Sequence, residues 1–488
     1  MIRFILNNEN ISTSEPSGAT VLDFVRYRKN LKGTKIGCRE GDCGACTILV
    51  GELVGEKVKY RSMTSCLMPL SNAAGKHIVT VEGINQEDGS LTPVQKALVD
   101  ESGTQCGFCT VGFVMSLTGF CLEGGTPEMA VSAVDGNICR CTGYKSIERA
   151  AEGISRQLAV GSWRCTPEYF SRIPERLQKL ATEHCQPPTA NRQLSFVGGG
   201  TDTYVQKPEW MADNESTPLL YDENLRGIRD FGENIEIGGS ATVTDLLESP
   251  VMQSVFPDLY KHLKLVSSTA IRNMATLAGN FVNASPIGDM TVWFLALDAE
   301  LTLAPGSPPY EGGVAAASAD GVVLSGRTFK LRDLYLGYKQ LAKQPDEIIT
   351  AIRFTKPTGN FRFNFEKVCK RTYLDIATVN TAISLRVSSP HVSKGSSSPQ
   401  RALTNVRATD TIIDAHVSAG GVGPIPLYLK ETSAYLTGRE INEETITAAN
   451  DIMQSEISPI SDVRGTADYK RLLLRQLFRA HFVEMFGI

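Results

Sequence analysis

Three cysteines crowd into nine residues near the start of this chain, Cys38-x4-Cys43-x2-Cys46, and a fourth, Cys66, returns further on. A second set follows in a different spacing, Cys106-x2-Cys109 answered by Cys139-x-Cys141. Each set offers four thiolates, the number that a [2Fe–2S] cluster takes. Zinc frameworks usually present two separated Cys-x2-Cys knuckles rather than a three-cysteine loop, so the first set reads as iron–sulfur. Two one-electron centres on one chain imply an electron relay.

The other bounds are consistent with that reading. At 488 residues the chain has room for three or four domains. A net charge of −4 supplies no surplus of cations to neutralise nucleic-acid phosphates. No apolar run approaches the ~20 residues that cross a bilayer, and the N-terminus lacks a signal-type apolar segment. Twelve cysteines, eight of them in ligand spacing, are too sparse for a disulfide scaffold and fit a reducing cytoplasm. Cys121, Cys165, Cys185 and Cys369 remain, and are expected to be buried or idle thiols.

Short β-type runs at 2–6, 47–50, 57–60 and 77–81 surround one helical stretch at 21–28. That pattern predicts a small α+β domain over 1–84. Gly37, Gly41 and Gly44 bracket the cysteine loop and allow backbone N–H groups to turn toward the sulfurs. From Thr92 the texture becomes helical: a capping threonine precedes Pro93, and apolar residues recur at helical spacing through 110–119 and 127–134. Both cysteine pairs of the second set then sit at corners of a four-helix bundle spanning 85–158.

Taken together, Gly-Cys-Arg-Glu-Gly-Asp-Cys-Gly-Ala-Cys at 37–46, Gln-Cys-Gly-Phe-Cys-Thr at 105–110 and Gly-Asn-Ile-Cys-Arg-Cys-Thr-Gly-Tyr at 136–144 closely resemble the iron–sulfur domains of the molybdenum hydroxylases. This is the xanthine dehydrogenase and aldehyde oxidase family. Val111 departs from it, standing where proline usually follows the Cys-x2-Cys-Thr. By the same resemblance Gln105 would lie between the second cluster and a molybdenum cofactor.

Residues 159–190 read as a linker with one helix near 168–181. The run at 194–197 is a strand that enters Gly198-Gly-Gly-Thr-Asp202, and a second strand–glycine run occupies 235–242. Glycine-rich turns after strands can cradle a pyrophosphate. The spacing is not Gly-x-Gly-x-x-Gly, which argues against a dinucleotide fold of the Rossmann type. With the stretch 268–289, rich in small and hydrogen-bonding residues, this segment resembles the family's FAD domain, of the vanillyl-alcohol-oxidase (PCMH) type, over 191–358. The resemblance implies that Phe196, Val197, Gly198, Gly199, Gly200, Thr201, Asp202 and Thr203 line the pyrophosphate. It further implies that Thr276, Gly279, Asn280 and Asp289 hold the dinucleotide, with Ile349 and Lys367 beside the flavin. Val266 replaces an aromatic residue common in the family, which would remove one stacking contact. Residues 359–488 resemble the α+β C-terminal domain of CO-dehydrogenase-type flavoproteins, with a strand at 380–387, a Ser-rich hairpin loop at 388–399 and helices at 443–455 and 469–482. Arg464, Asp468 and Arg471 are expected on a solvated or salt-bridged helix face.

The implied molecule is a multidomain α+β relay. Nothing in the 488 residues resembles a molybdopterin domain, so the resemblance is to the small subunit of a two-subunit bacterial enzyme. Its partner would be a large molybdenum-cofactor subunit, in an assembly such as α2β2. Electrons would pass from a purine oxidised there to the cluster of Cys106, Cys109, Cys139 and Cys141, then to that of Cys38, Cys43, Cys46 and Cys66. FAD would follow, and then NAD+, with O2 the alternative acceptor at the flavin. Catalytic side chains are not expected on this chain, because the flavin is the reactive group. Xanthine is favoured as substrate because fusion of clusters and flavin is typical of the xanthine enzymes. An aldehyde or N-heterocycle would use the same relay. A stand-alone flavin reductase and a non-enzymatic iron–sulfur sensing module are the other readings.

Overall fold

The computed structural model describes residues 1–158, 166–182, 195–306, 326–371, 374–388 and 410–488. Cys165, Cys185 and nearly all of the Ser-rich 388–399 stretch lie outside these residues.

The N-terminal part is a five-stranded sheet in the order β2-β1-β5-β3-β4, formed by β1 (Ile2–Leu6), β2 (Glu9–Thr13), β3 (Thr47–Val54), β4 (Lys57–Thr64) and β5 (His77–Val79). Strand β2 was not anticipated from the sequence. It pairs with β1 through a two-residue turn in which Asn7 takes φ +51, a left-handed conformation that tight hairpins require and asparagine tolerates. β1 runs parallel to β5, and the other pairs are antiparallel. Helix α1 (Val21–Asp23) starts under Thr20, whose hydroxyl accepts from the Asp23 N–H. It continues as a wider π turn over Phe24–Arg28, so the helical stretch expected at 21–28 is present. Together these elements make the grasp-type domain that the cysteine loop sits on.

Four helices follow: α2 (Pro93–Asp100), α3 (Thr110–Glu123), α4 (Pro127–Ala133) and α5 (Lys145–Leu158). α2 opens with a full capping box between Thr92 and Gln95, and α4 with a Thr126 cap and Pro127. α3 is apolar on every side because it lies between its sister helices and the first sheet, where its Gly119 faces Leu49. The absence of proline at Val111 does not delay this helix.

The described part of the 159–190 linker is not a free connection. Glu168–Arg172 and Ile173–Thr182 pack on the first sheet, with Tyr169 and Phe170 against His77 and the Tyr169 hydroxyl donating to the Gly83 carbonyl. Aromatic burial outweighs the polar, proline-dotted character that suggested a loop.

The flavin-type region holds a parallel pair, Ser195–Val197 with Ser216–Pro218, and a five-stranded antiparallel sheet. That sheet runs in the order Arg327–Lys330, Glu300–Pro305, Glu347–Thr355, Asn234–Gly238, Ile228–Asp230. The C-terminal region is a four-stranded antiparallel sheet, Phe361–Val368, Val379–Val387, Ile412–Gly420 and Leu427–Tyr428, covered by Lys430–Leu436, Glu443–Glu456 and Ala467–Phe486. Phe365 and Ala382 of this sheet belong to the same buried cluster as Trp293 and Phe294, so the two regions share a core. Arg471 does not make a surface ion pair. It donates to the Gln454 and Ile457 carbonyls and fastens the last helix to its neighbour. Among the described residues no helix is long and apolar enough to cross a membrane.

Candidate cofactor sites

The loop between α1 and β3 carries Cys38, Cys43 and Cys46, and Cys66 lies just beyond β4. Reciprocal bonds tie the first two together: the Cys38 N–H reaches the Cys43 sulfur and the Cys43 N–H the Cys38 sulfur, each at 3.4 Å. The Glu40 N–H adds a third contact to the Cys38 sulfur. The Cys43 thiol donates to Cys38 and, with these N–H groups, overcomes burial to hold the Cys38 thiol down at about 5. Cys43 is correspondingly pushed up by Cys38 and by burial. Cys46 and Cys66 form the second couple, with Cys46 lowered by its bond from Cys66 and Cys66 raised in turn. Both sulfurs are buried.

The second set repeats this arrangement. The Cys141 and Cys106 sulfurs stand 3.7 Å apart. Cys109 is pushed up to about 12 by burial and then by the neighbouring Cys139. Cys139 is lowered, against its burial, by the Thr142 hydroxyl and N–H at 3.2 and 3.4 Å. Cys106 and Cys141 are exposed whereas Cys139 is buried.

In both sets the sulfurs meet as two couples. Each iron of a binuclear [2Fe–2S] cluster needs two protein thiolates, so the donor sets fit that cofactor.

The two cysteine loops touch. The Ile138 N–H donates to the Cys43 carbonyl at 3.1 Å, one residue before Cys139. Asn137 Nδ2 donates to the Gly44 carbonyl, and the Ser116 hydroxyl donates to Asn137 Oδ1. Gly44 has φ +65, and a Cβ there would fall 2.4 Å from Asn137 Nδ2. Only glycine allows this approach. Gln105 is exposed, and its amide donates to the Cys141 carbonyl at 3.2 Å.

A cavity of about 180 Å³ gathers Gly198, Gly199, Gly200, Thr201, Asp202 and Thr203 with Thr276, Gly279 and Asn280. Gln206, Lys207, Ala275 and Asn283 complete its wall. These four were missed at the sequence level. Asn283 follows directly in the small-residue stretch, and Gln206 and Lys207 lie one helical turn past the glycines. A Cβ on Gly199 would sit 1.9 Å from the Met274 carbonyl oxygen, and one on Gly198 would sit 2.6 Å from Thr276 Oγ1. The bare backbone and the Lys207 cation suit a pyrophosphate, so the cavity fits the phosphate portion of FAD. Burial raises the Asp202 carboxyl, with Lys339 opposing. Asn283 donates to Asp202 at 2.7 Å and is itself held by Gln206 and Lys339.

The remaining expected FAD residues lie elsewhere. Phe196 stacks over the backbone at Gly306, and Val197 points into the core shared with the first domain. Ile349 is buried, its carbonyl pressed on Gly239. Val266 lies in the apolar core. Asp289 and Lys367 form a separate ion pair, 2.7 Å long. Asn280 connects the cavity to the helix that begins at Asp289, accepting from the Thr291 N–H and hydroxyl. On its other side the cavity abuts the segment that follows Cys66: a Cβ on Gly200 would meet the Leu67 carbonyl at 2.4 Å, and Asn72 donates to the Gly198 carbonyl.

Family models match four consecutive segments. They are a 2Fe–2S iron–sulfur cluster binding domain at 4–71 and a [2Fe–2S] binding domain at 80–152. An FAD binding domain in molybdopterin dehydrogenase matches 172–311, and a CO dehydrogenase flavoprotein C-terminal domain matches 365–485. Xanthine dehydrogenase from Emericella nidulans is 28% identical over 521 residues, covering 91% of this chain and 35% of that protein. Aldehyde oxidase 2 from Cavia porcellus is 25% identical over 555 residues, covering 98% and 39%. The chain therefore spans little more than a third of the length of these relatives. A solved chain of carbon monoxide dehydrogenase from Hydrogenophaga pseudoflava superposes with a TM-score of 0.48 at 23% identity, covering 59% of this chain and 88% of that one. In this order on one chain, the four matched domains fit the iron–sulfur and FAD part of a molybdenum hydroxylase.

Proposed function

We propose that this chain is the electron-relay subunit of a xanthine-oxidising molybdenum hydroxylase, serving a molybdenum-cofactor partner at one end and NAD+ at the other. The observation that carries this reading is the contiguity of the three sites. Ile138 bonds the second cysteine loop to the first, and Leu67, next to Cys66, lies against Gly200 of the flavin cavity. When bound, the clusters supply one-electron centres and the flavin a two-electron acceptor that can reduce a nicotinamide.

The chain's own residues hold, orient and insulate. Cys106, Cys109, Cys139 and Cys141 would hold the outer cluster, on a loop whose exposed Cys106, Cys141, Phe108 and Tyr144 suit contact with a partner subunit. Cys38, Cys43, Cys46 and Cys66 would hold the inner cluster, screened from water by Leu67 and Ile271 around Gly41. Gly198–Thr203 and Thr276–Asn280 would orient the dinucleotide, with Lys207 beside its phosphates. No side chain here needs to move a substrate proton.

Xanthine is the preferred substrate because xanthine dehydrogenases recur among the relatives. Aldehyde oxidases occur there too, which makes an aldehyde or N-heterocycle the second reading. The test is an assay of xanthine-dependent NAD+ reduction by the complex that copurifies with this chain. Turnover supports the reading. A molybdenum-bearing complex inert toward xanthine but active on an aldehyde would replace it.

A further inference from the structure

The short helix Thr269–Arg272 belongs to the flavin region, yet it grips the second cysteine loop. Arg272 Nη2 donates to Asp135 Oδ2 at 2.8 Å, with the two side chains 5% and 6% exposed. The same guanidinium donates to the Val266 and Ser267 carbonyls and to the Thr269 hydroxyl. The Thr269 N–H donates to Asp135 Oδ1 at 2.7 Å, and the Thr269 hydroxyl to the Ser132 carbonyl at 2.8 Å. Asp135 is thus saturated from the flavin side, and Ser268 fills the space where a Gly136 side chain would stand.

The residues just after Asp135 give this grip its meaning. Gly136 and Asn137 press on Gly44, Ile138 bonds the Cys43 carbonyl, and Cys139 comes next. Three residues separate Asp135 of the buried ion pair from Cys139, and the inter-loop hydrogen bond of Ile138 lies among them. On its other face the same helix sends Ile271 against Gly41 of the first loop. One turn of helix therefore touches both cysteine loops and leads directly into the cavity residues Ala275 and Thr276.

We infer that Arg272 is a positioning residue for inter-cluster electron transfer, holding the loop of Asp135 to Cys139 against Cys43 so that the Ile138–Cys43 hydrogen bond stays closed. This rests on the relay reading above. The step it serves is a one-electron exchange in which the cluster on the Cys139 loop is oxidised and that on the Cys43 loop reduced. A buried, fully hydrogen-bonded ion pair suits this task, since such pairs fix geometry more reliably than they add stability.

The test is electron paramagnetic resonance of the full chain, purified with both clusters and flavin and reduced with dithionite. In the wild type, two cluster signals with mutual spin–spin splitting are expected. Arg272→Met should keep both signals and the iron content but lose the splitting and slow inter-cluster transfer, and Arg272→Lys should restore them. Unchanged splitting in Arg272→Met overturns the inference. If that variant loses a cluster, Thr269→Val, which keeps the Arg272–Asp135 ion pair but removes the hydroxyl that bonds Ser132 and Arg272, is read instead. Weakened splitting there supports the inference and unchanged splitting overturns it. Absence of two cluster signals in the wild type would overturn the relay reading itself.

Discussion

Lys367 and Asp289 meet at 2.7 Å with the lysine side chain 1% exposed, and together they join the C-terminal sheet to the flavin region. Lys367 also donates to the Leu265 carbonyl, and Asn380 donates to the other oxygen of Asp289 at 2.6 Å. Removing one member of a buried pair leaves the other charge uncompensated, which costs about 3–5 kcal/mol. Lys367→Met should therefore lower the urea midpoint of unfolding. An unchanged midpoint would show that the pair contributes little.

Cluster loading should separate by loop. Cys46→Ser should drop the iron content from about four atoms per chain to about two, and Cys139→Ser should do the same. The two variants should each retain a different visible and paramagnetic signature. Loss of all iron in either would mean that the loops do not load independently.

The proposed flavin site needs bare backbone at Gly199. A methyl group there collides with the Met274 carbonyl, and Gly199→Ala should expel FAD while iron is retained. Overpacking of this kind costs about 1–3 kcal/mol when the surroundings shift to accept it. Retention of a full flavin absorbance would contradict the placement of the pyrophosphate.

Acid should loosen the fold well above the carboxylate range. Burial depresses His77 to about 3, His262 to about 4 and His481 to about 3. Below about 6.5 the unfolded chain protonates these imidazoles and the folded one does not, so stability is lost as pH falls from there toward 4. Each histidine contributes at most about 1.4 kcal/mol per pH unit. Glu123 acts with the opposite sign over the same window, since burial and then the nearby Glu248 push it up to about 7. That residue is exposed overall, so its offset is weaker than one buried histidine. Urea midpoints at pH 7 and pH 5.5 should differ in the wild type and differ less in His77→Phe. A midpoint that does not move with pH would exclude the effect.

That the two cysteine sets gather was legible because cysteine spacing is local: four thiolates come together only from a few loop lengths, and each set lies within about forty residues. The glycine cradle was legible for the same reason. Contacts formed by domain docking were not. Nothing near Arg272 points to Asp135, 137 residues away, and nothing in Ile138 marks its N–H as the bond to Cys43. The helix at Ile173–Thr182 was visible in the periodicity, but its seat on the first sheet was not, because that seat is created by Tyr169, Phe170 and His77 together. Strand β2 escaped because Glu9–Thr13 buries a single side chain, Ile11, and so shows almost no alternation.

The burial of Cys46 and Cys66 beneath Leu67 has a consequence for how the molecule ages. With Gly200 closed over the Leu67 carbonyl, Cys46 and Cys66 are buried and only the half-buried Cys38 and Cys43 face outward, whereas Cys106 and Cys141 of the second set are exposed. A cluster on the inner set should therefore exchange iron more slowly than one on the outer set. A chelator applied to the folded protein should then remove two iron atoms readily and leave about two behind. Oxidative damage should reach the exposed outer set first.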